Sequence, residues 1–173
     1  MDADDRRMLR RVADYQFGAG AGTALFPDDE EPEVTRTTSG RPRQVVADEG
    51  RLVTYAVDGR FTLGLAGGRR LQDAFASPRC RVVVGDESEP FVREGRNAFA
   101  KFVQEADPGI RPGDEVLVEH ADGHLLAVGR AELAGEGMLD FDTGMAVFVR
   151  KSVGTADEDG GRDGDGPSGD GSG

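Results

Sequence analysis

One cysteine, Cys80, in 173 residues leaves no partner for an intramolecular disulfide. It also leaves too few thiols for the usual structural zinc sites, so no metal is expected. No apolar run approaches the ~18 residues needed to cross a bilayer, which removes a membrane partner from consideration. The opening Met1-Asp2-Ala3-Asp4-Asp5 lacks the basic and then apolar pattern of a secretory signal. A soluble cytoplasmic protein of one average domain or two small ones is the expectation. Positive charge is scarce as well: 21 basic side chains face 33 acidic ones, for a net charge of −12. At first sight that argues against a nucleic-acid partner.

The distribution of charge changes this reading. Residues 1–34 carry net −5, residues 35–81 net +5, residues 82–154 net −7 and residues 155–173 net −5. One basic block, Arg36 to Arg81, therefore sits inside an anionic chain. Lysine is nearly missing, with Lys101 and Lys151 against nineteen arginines, and Asp outnumbers Glu by twenty to thirteen. Short, strongly hydrated carboxylates keep a protein soluble where salt competes for water. The pattern is similar to that of haloarchaeal proteins. Near 1 M salt the Debye length is only ~3 Å, so long-range repulsion from any polyanion would be largely screened.

The tail from residue 154 is rich in glycine and acid and almost free of apolar side chains, which predicts disorder. Its aspartates lack the ligand spacing and terminal Glu of a calcium loop. Asp28 to Glu33 reads as an acidic loop. Residues 4–17 predict a helix with Met8, Leu9, Val12, Tyr15 and Phe17 toward a core, ended by Gly18-Ala19-Gly20-Ala21-Gly22. Three short strands follow, around Val45-Val46, Leu52–Val57 and Phe61–Leu65, separated by Asp-Glu-Gly and Asp-Gly turns. Residues 66–75 read as a helix burying Leu71 and Phe75. In the second half, Arg81–Val84, Glu115–Val118, Leu125–Ala131 and Met145–Arg150 read as strands, and Gly95–Glu105 as a helix. The chain is α+β, with its second half a compact β-barrel of about 75 residues.

Few motifs carry chemistry. The Gly18–Gly22 run has Thr23 where a dinucleotide fingerprint needs its third glycine, and it lacks the Lys of a phosphate loop. His120 and His124 flank Ala-Asp-Gly in a turn, without a further ligand. No serine lies in a nucleophile elbow. No catalytic residue and no cofactor are expected. The arginines of the basic block could instead present guanidinium forks to phosphates.

The run Val82-Val83-Val84-Gly85-Asp86-Glu87-Ser88-Glu89-Pro90-Phe91-Val92-Arg93-Glu94-Gly95-Arg96-Asn97-Ala98-Phe99-Ala100-Lys101-Phe102-Val103 resembles the start of a PUA domain. The likeness continues through Ala106–Val118, Leu126–Ala131 and Gly144–Arg150. Upstream, Ala13-Asp14-Tyr15-Gln16-Phe17-Gly18 and Ser39-Gly40-Arg41-Pro42-Arg43 resemble the domain preceding PUA in archaeosine tRNA-guanine transglycosylases. This resemblance implies a small α/β pre-PUA domain over 1–76, a PUA-type β-barrel with short helices over 77–153, and a tail over 154–173. It covers no transglycosylase barrel and no cysteine-rich zinc site.

In PUA domains RNA is held by the glycine loop, the first helix and a neighbouring strand. The resemblance thus implies Arg93, Gly95, Arg96, Asn97 and Lys101 as RNA-binding residues. Arg41, Arg43, Arg69 and Arg70 join them by charge. The implied function is a stand-alone RNA-binding protein, not an enzyme, that recognises tRNA or another structured RNA in connection with RNA modification. Two alternatives are a separately encoded RNA-binding subunit of a tRNA-guanine transglycosylase and a PUA-like protein-interaction module.

Overall fold

The computed structural model describes residues 1–155; the tail expected to be disordered lies almost wholly outside these. Helix α1, Ala3–Phe17, starts on a capping box in which Asp2 accepts from the N–H of Asp5 at 2.8 Å. Its buried stripe is Leu9, Ala13 and Phe17, whereas Tyr15 is 94 % exposed. Tyr15 was expected in the core. The displacement has a cause in the glycine run. Gly18 ends α1 with a positive φ, and the chain re-enters α2, Ala21–Leu25, which lies directly on α1. A Cβ on Gly22 would sit 2.6 Å from the Arg10 carbonyl oxygen, and the Gly22 N–H donates to Asp14 Oδ1 at 2.7 Å. The glycines therefore allow a close helix crossing, with Gly22 of α2 against the Arg10 backbone of α1.

Four strands form an antiparallel meander in chain order: β1 Glu33–Arg36, β2 Pro42–Ala47, β3 Gly50–Tyr55 and β4 Phe61–Leu63. Strand β1 was concealed in sequence by the acidic run before it. Val45, Val53 and Leu63 face a core closed by Leu9, Leu25 and Phe26, with Phe26 edge-on to Phe61 at 6.0 Å. Helix α3, Leu65–Ala74, packs on β3 and buries Leu71, with Phe75 buried just beyond its end.

The second sheet has the order β6-β10-β9-β8-β5-β7. Its elements are β5 Arg81–Val84, α4 Glu89–Arg93, β6 Ala98–Phe99, β7 Val103–Ala106, β8 Glu115–His120, β9 Leu125–Ala131, α5 Gly135–Met138 and β10 Met145–Ser152. Its two outermost strands, β6 and β7, are joined by a single tight turn, Ala100–Phe102, so the sheet is a nearly closed barrel. The helix expected over Gly95–Glu105 is reduced to the 3-10 turn Ala100–Phe102, and the α-helical residues are Glu89–Arg93. Phe99, Phe102 and Val103 satisfy a helical spacing, but strand pairing overrides it. Ala98 pairs with Val147 and Val103 with Val84, while Asn97 Oδ1 accepts the Val149 N–H at 2.9 Å.

The two halves share side chains. Leu117, Leu125 and Val128 of the barrel belong to the first core, and α3 lies against β9 through Gly68, where a Cβ would meet Val128.

Candidate nucleic-acid interface

The basic block is mostly consumed inside the fold. Arg81 is buried, donates to Glu119 Oε2 at 2.8 Å and holds the carbonyls of Gln72 and Phe75. Arg79 stacks on Phe75 at 3.6 Å and donates to the carbonyls of Phe17 and Ala19. Arg36 pairs with Asp5 at 2.6 Å, and this hydrogen bond holds the Asp5 carboxyl below its usual range. Arg70 spans Glu49, Glu30 and the Leu25 carbonyl. Arg41 stacks on Tyr55 at 4.2 Å and donates to the Ala56 carbonyl. The local excess of positive charge is thus internal glue between helices, loops and sheet.

The nine candidate residues separate accordingly. Arg41 and Arg70 have their donors committed to carbonyls and carboxylates. Arg43 on β2 and Arg69 on α3 are exposed and have no charged partner among the described residues. No contact ties either of them to the barrel candidates.

The barrel candidates are strung along the β6 edge, with Arg93, Gly95 and Asn97 against the end of β10 and Lys101 by its start. Gly95, at φ +102°, lies just past the end of α4, with its Cβ position 3.6 Å from Ser152 Oγ at the end of β10. Gly154 sits tightly under the Arg93 carbonyl, where a Cβ would approach to 2.3 Å. Asn97 is bonded to the β10 backbone. Arg93 is paired with Glu89 at 2.5 Å, whereas Arg96 is exposed and without a charged partner among the described residues. Lys101 occupies the turn that closes the barrel, exposed, 5.2 Å from the Phe102 ring. It borders a groove of about 390 Å³ also lined by Asp86, Glu87 and Gln104. The helix N-terminus expected to follow Gly95 is replaced by strand β6, which leaves side chains and an open glycine backbone at this position.

Four phenylalanines are exposed, Phe141 just beyond α5 and three others on the barrel elements. Phe91 on α4, Phe99 on β6 and Phe148 on β10 are 54 %, 43 % and 43 % exposed. The Arg130 guanidinium lies 5.2 Å from the Phe148 ring. Aromatic faces beside cations are the elements of single-stranded RNA recognition. In sequence, Phe99 looked like one member of a buried helical stripe, and that hid its exposure.

A meander with helices on one side, joined to a nearly closed six-stranded barrel with this exposed edge, defines a PUA-type two-domain protein. Residues 7–78 match the patch-forming domain C2 of tRNA-guanine transglycosylase, and residues 80–153 match the PUA domain. The chain thus carries a region that matches domain C2 followed by a PUA domain. It is 48 % identical over 149 residues to tRNA-guanine(15) transglycosylase of Thermococcus kodakarensis, covering 86 % of this chain and 25 % of that protein. The same enzyme of Pyrococcus furiosus is 49 % identical over 146 residues, covering 84 % and 24 %. The chain spans about a quarter of the length of these relatives, matching their C-terminal region. Among solved structures, a hypothetical protein of Pyrococcus horikoshii superposes with a TM-score of 0.70 at 22 % identity, covering 88 % of this chain and 92 % of that one. A conserved PUA domain protein of Thermoplasma acidophilum gives 0.62 at 22 % identity, covering 87 % and 89 %.

Proposed function

We propose that this protein is a stand-alone RNA-binding protein that recognises tRNA, or another structured RNA, in connection with RNA modification. The observation that carries the reading is the C2–PUA pair, 48 % identical to part of an enzyme that acts on tRNA. Support comes from the barrel edge, where Arg96 and Lys101 offer open cations, Gly95 an open backbone and Phe99 a half-exposed ring. Arg93 and Asn97 shape that edge, and Arg43 and Arg69 extend the surface available to phosphate. In this reading the domains divide near residue 76, and the chain works without a cofactor or catalytic residue of its own, in the cytoplasm of a salt-adapted archaeon. Close hydrogen bonds and stacking then matter more than bulk charge, because salt weakens each phosphate contact.

A second reading is that it supplies the RNA grip to a separately encoded transglycosylase, since it is similar to the C-terminal region of such enzymes. Filter binding of tRNA transcripts at molar and submolar salt tests the first reading. Equal affinity for tRNA and a scrambled single strand would overturn it. The second predicts co-purification with a catalytic subunit whose activity rises when this chain is added.

A further inference from the structure

We propose that the outer face of α1 is a second polyanion site, taking the phosphate backbone of RNA with Tyr15 as a stacking surface for an unpaired base. The inference rests on the RNA-binding reading but uses none of the residues that reading names.

Arg6, Arg7, Arg10 and Arg11 border one groove of about 420 Å³ along α1, together with Asp14 and Asp28. Arg6 is buried with its donors taken, which leaves Arg7, Arg10 and Arg11 to meet a phosphate. Two of these guanidiniums are held in place by neutral acceptors. Arg6 donates to the carbonyls of Pro27 and Glu30 at 2.7 and 3.0 Å, and Arg10 donates to that of Phe26 at 2.8 Å. A carbonyl orients a guanidinium without cancelling its charge. The carboxylates that do offset charge here are loosely placed. Asp4 beside Arg7, Asp28 beside Arg10 and Glu31 beside Arg6 have side chains 89 %, 86 % and 71 % exposed. Pairs with such exposed acids are weak and screened by salt, so a phosphate that accepts from several forks at once can displace them. Arg11 has no charged partner among the described residues, so nothing need be displaced there.

Arg7, Arg11 and Tyr15 follow at intervals of four residues, which places them on one face of the helix. Tyr15 is 94 % exposed and has no ring or hydrogen-bond partner among the described residues. Its neighbour Gln16 locks the end of α1 to β4, accepting from the Phe61 N–H at 2.7 Å and donating to the Phe61 carbonyl at 2.8 Å. The phenol ring thus projects from a firmly anchored helix end. A rigid ring beyond a row of arginines suits a polynucleotide, since every base has a face that stacks.

Binding of a tRNA transcript by the full chain tests the site, with Arg7→Glu/Arg11→Glu and Tyr15→Ala compared with wild type. Arg111→Glu, an exposed arginine outside both surfaces, controls for the change of charge. The double variant should weaken binding by about tenfold or more and lower the salt slope by about two. Tyr15→Ala should weaken it by about fivefold and abolish ultraviolet crosslinking of the α1 peptide to RNA. Unchanged melting would show that all variants fold. Wild-type binding left intact by both variants overturns this site alone, whereas a wild type that binds no tRNA overturns the RNA reading itself. Crosslinks from Tyr15 to a protein in place of RNA also overturn it.

Discussion

Arg150 and Glu115 meet at 2.5 Å between the barrel and the first sheet, and together they bracket Leu63. Glu115 Oε1 accepts the Leu63 N–H at 2.9 Å, and Arg150 Nη2 donates to the Leu63 carbonyl at 2.9 Å. One residue of β4 thus has both backbone groups satisfied by a charged pair from the other half of the chain. The two halves are locked by directional bonds as well as by shared apolar side chains.

Removing one member of that pair should be costly. Glu115→Ala leaves a mostly buried guanidinium and a backbone N–H without their acceptor. A loss of roughly 3 kcal/mol in urea-induced unfolding is expected. A change below about 1 kcal/mol would mean that the lock is not holding the halves together.

The division between committed and open arginines predicts opposite phenotypes. Arg70→Ala should destabilise by roughly 2 kcal/mol, because Glu30, Glu49 and the Leu25 carbonyl lose their common donor. Arg96→Ala should leave stability within about 0.5 kcal/mol and lower the salt slope of tRNA binding by about one. Thermal melts and filter binding on both variants check this. Identical behaviour in the two assays would refute the division.

His120 should make stability depend on pH. Its Nε2 lies 2.6 Å from Asp86 Oδ1, and its Nδ1 lies 3.0 Å from Asp122 Oδ1. The hydrogen bond to Asp86, and then that to Asp122, raise its pKa above the ordinary value of about 6.5. The folded protein therefore holds the proton more tightly than the unfolded chain. This stabilisation is complete below about 6.5 and is lost as pH rises through the folded value. Melting temperature followed against pH should show that fall, and Asp86→Asn should reduce it. A His120 resonance titrating at or below about 6.5 would contradict the assignment.

The Cys80 thiol should be sluggish. Burial, then the nearby Asp107 carboxylate, push its pKa up to about 11. Against a free thiol near 8.5, the thiolate fraction at pH 8 falls by about two hundredfold. Alkylation by iodoacetamide should slow in proportion in the folded chain and recover in urea.

Gly22 tests the helix crossing. A methyl group there would lie 2.6 Å from the Arg10 carbonyl oxygen, so Gly22→Ala should cost about 1–3 kcal/mol despite its better helix propensity. A stabilised Gly22→Ala variant would show that α2 does not sit so close to α1.

Local chemistry made much of the chain legible. The period of apolar residues and the Asp-Gly turns mark α1, the hairpins, α3 and most barrel strands, because these elements are specified by neighbours in sequence. Where non-neighbours decide, sequence misleads. Residues 98–106 carry a plausible helical stripe, yet β10 and β5 supply strand partners that no local pattern displays. Tyr15 reads as core until the fold is seen to bury the Leu9, Ala13 and Phe17 stripe of α1 and leave Tyr15 outside it.

By itself the sequence determined the composition of the surface, the acidic excess, the turns and the order of a C2 and a PUA domain, since these depend on residue identity and spacing. Only the tertiary structure decided which cations are open. How open a guanidinium is to RNA depends on how many of its donors carbonyls and carboxylates have taken and how exposed those acids are, and that depends on residues distant in the chain. Arg70 and Arg96 look alike in sequence. One is held by Glu30, Glu49 and Leu25, the other faces solvent beside Gly95, and the fold alone makes that distinction.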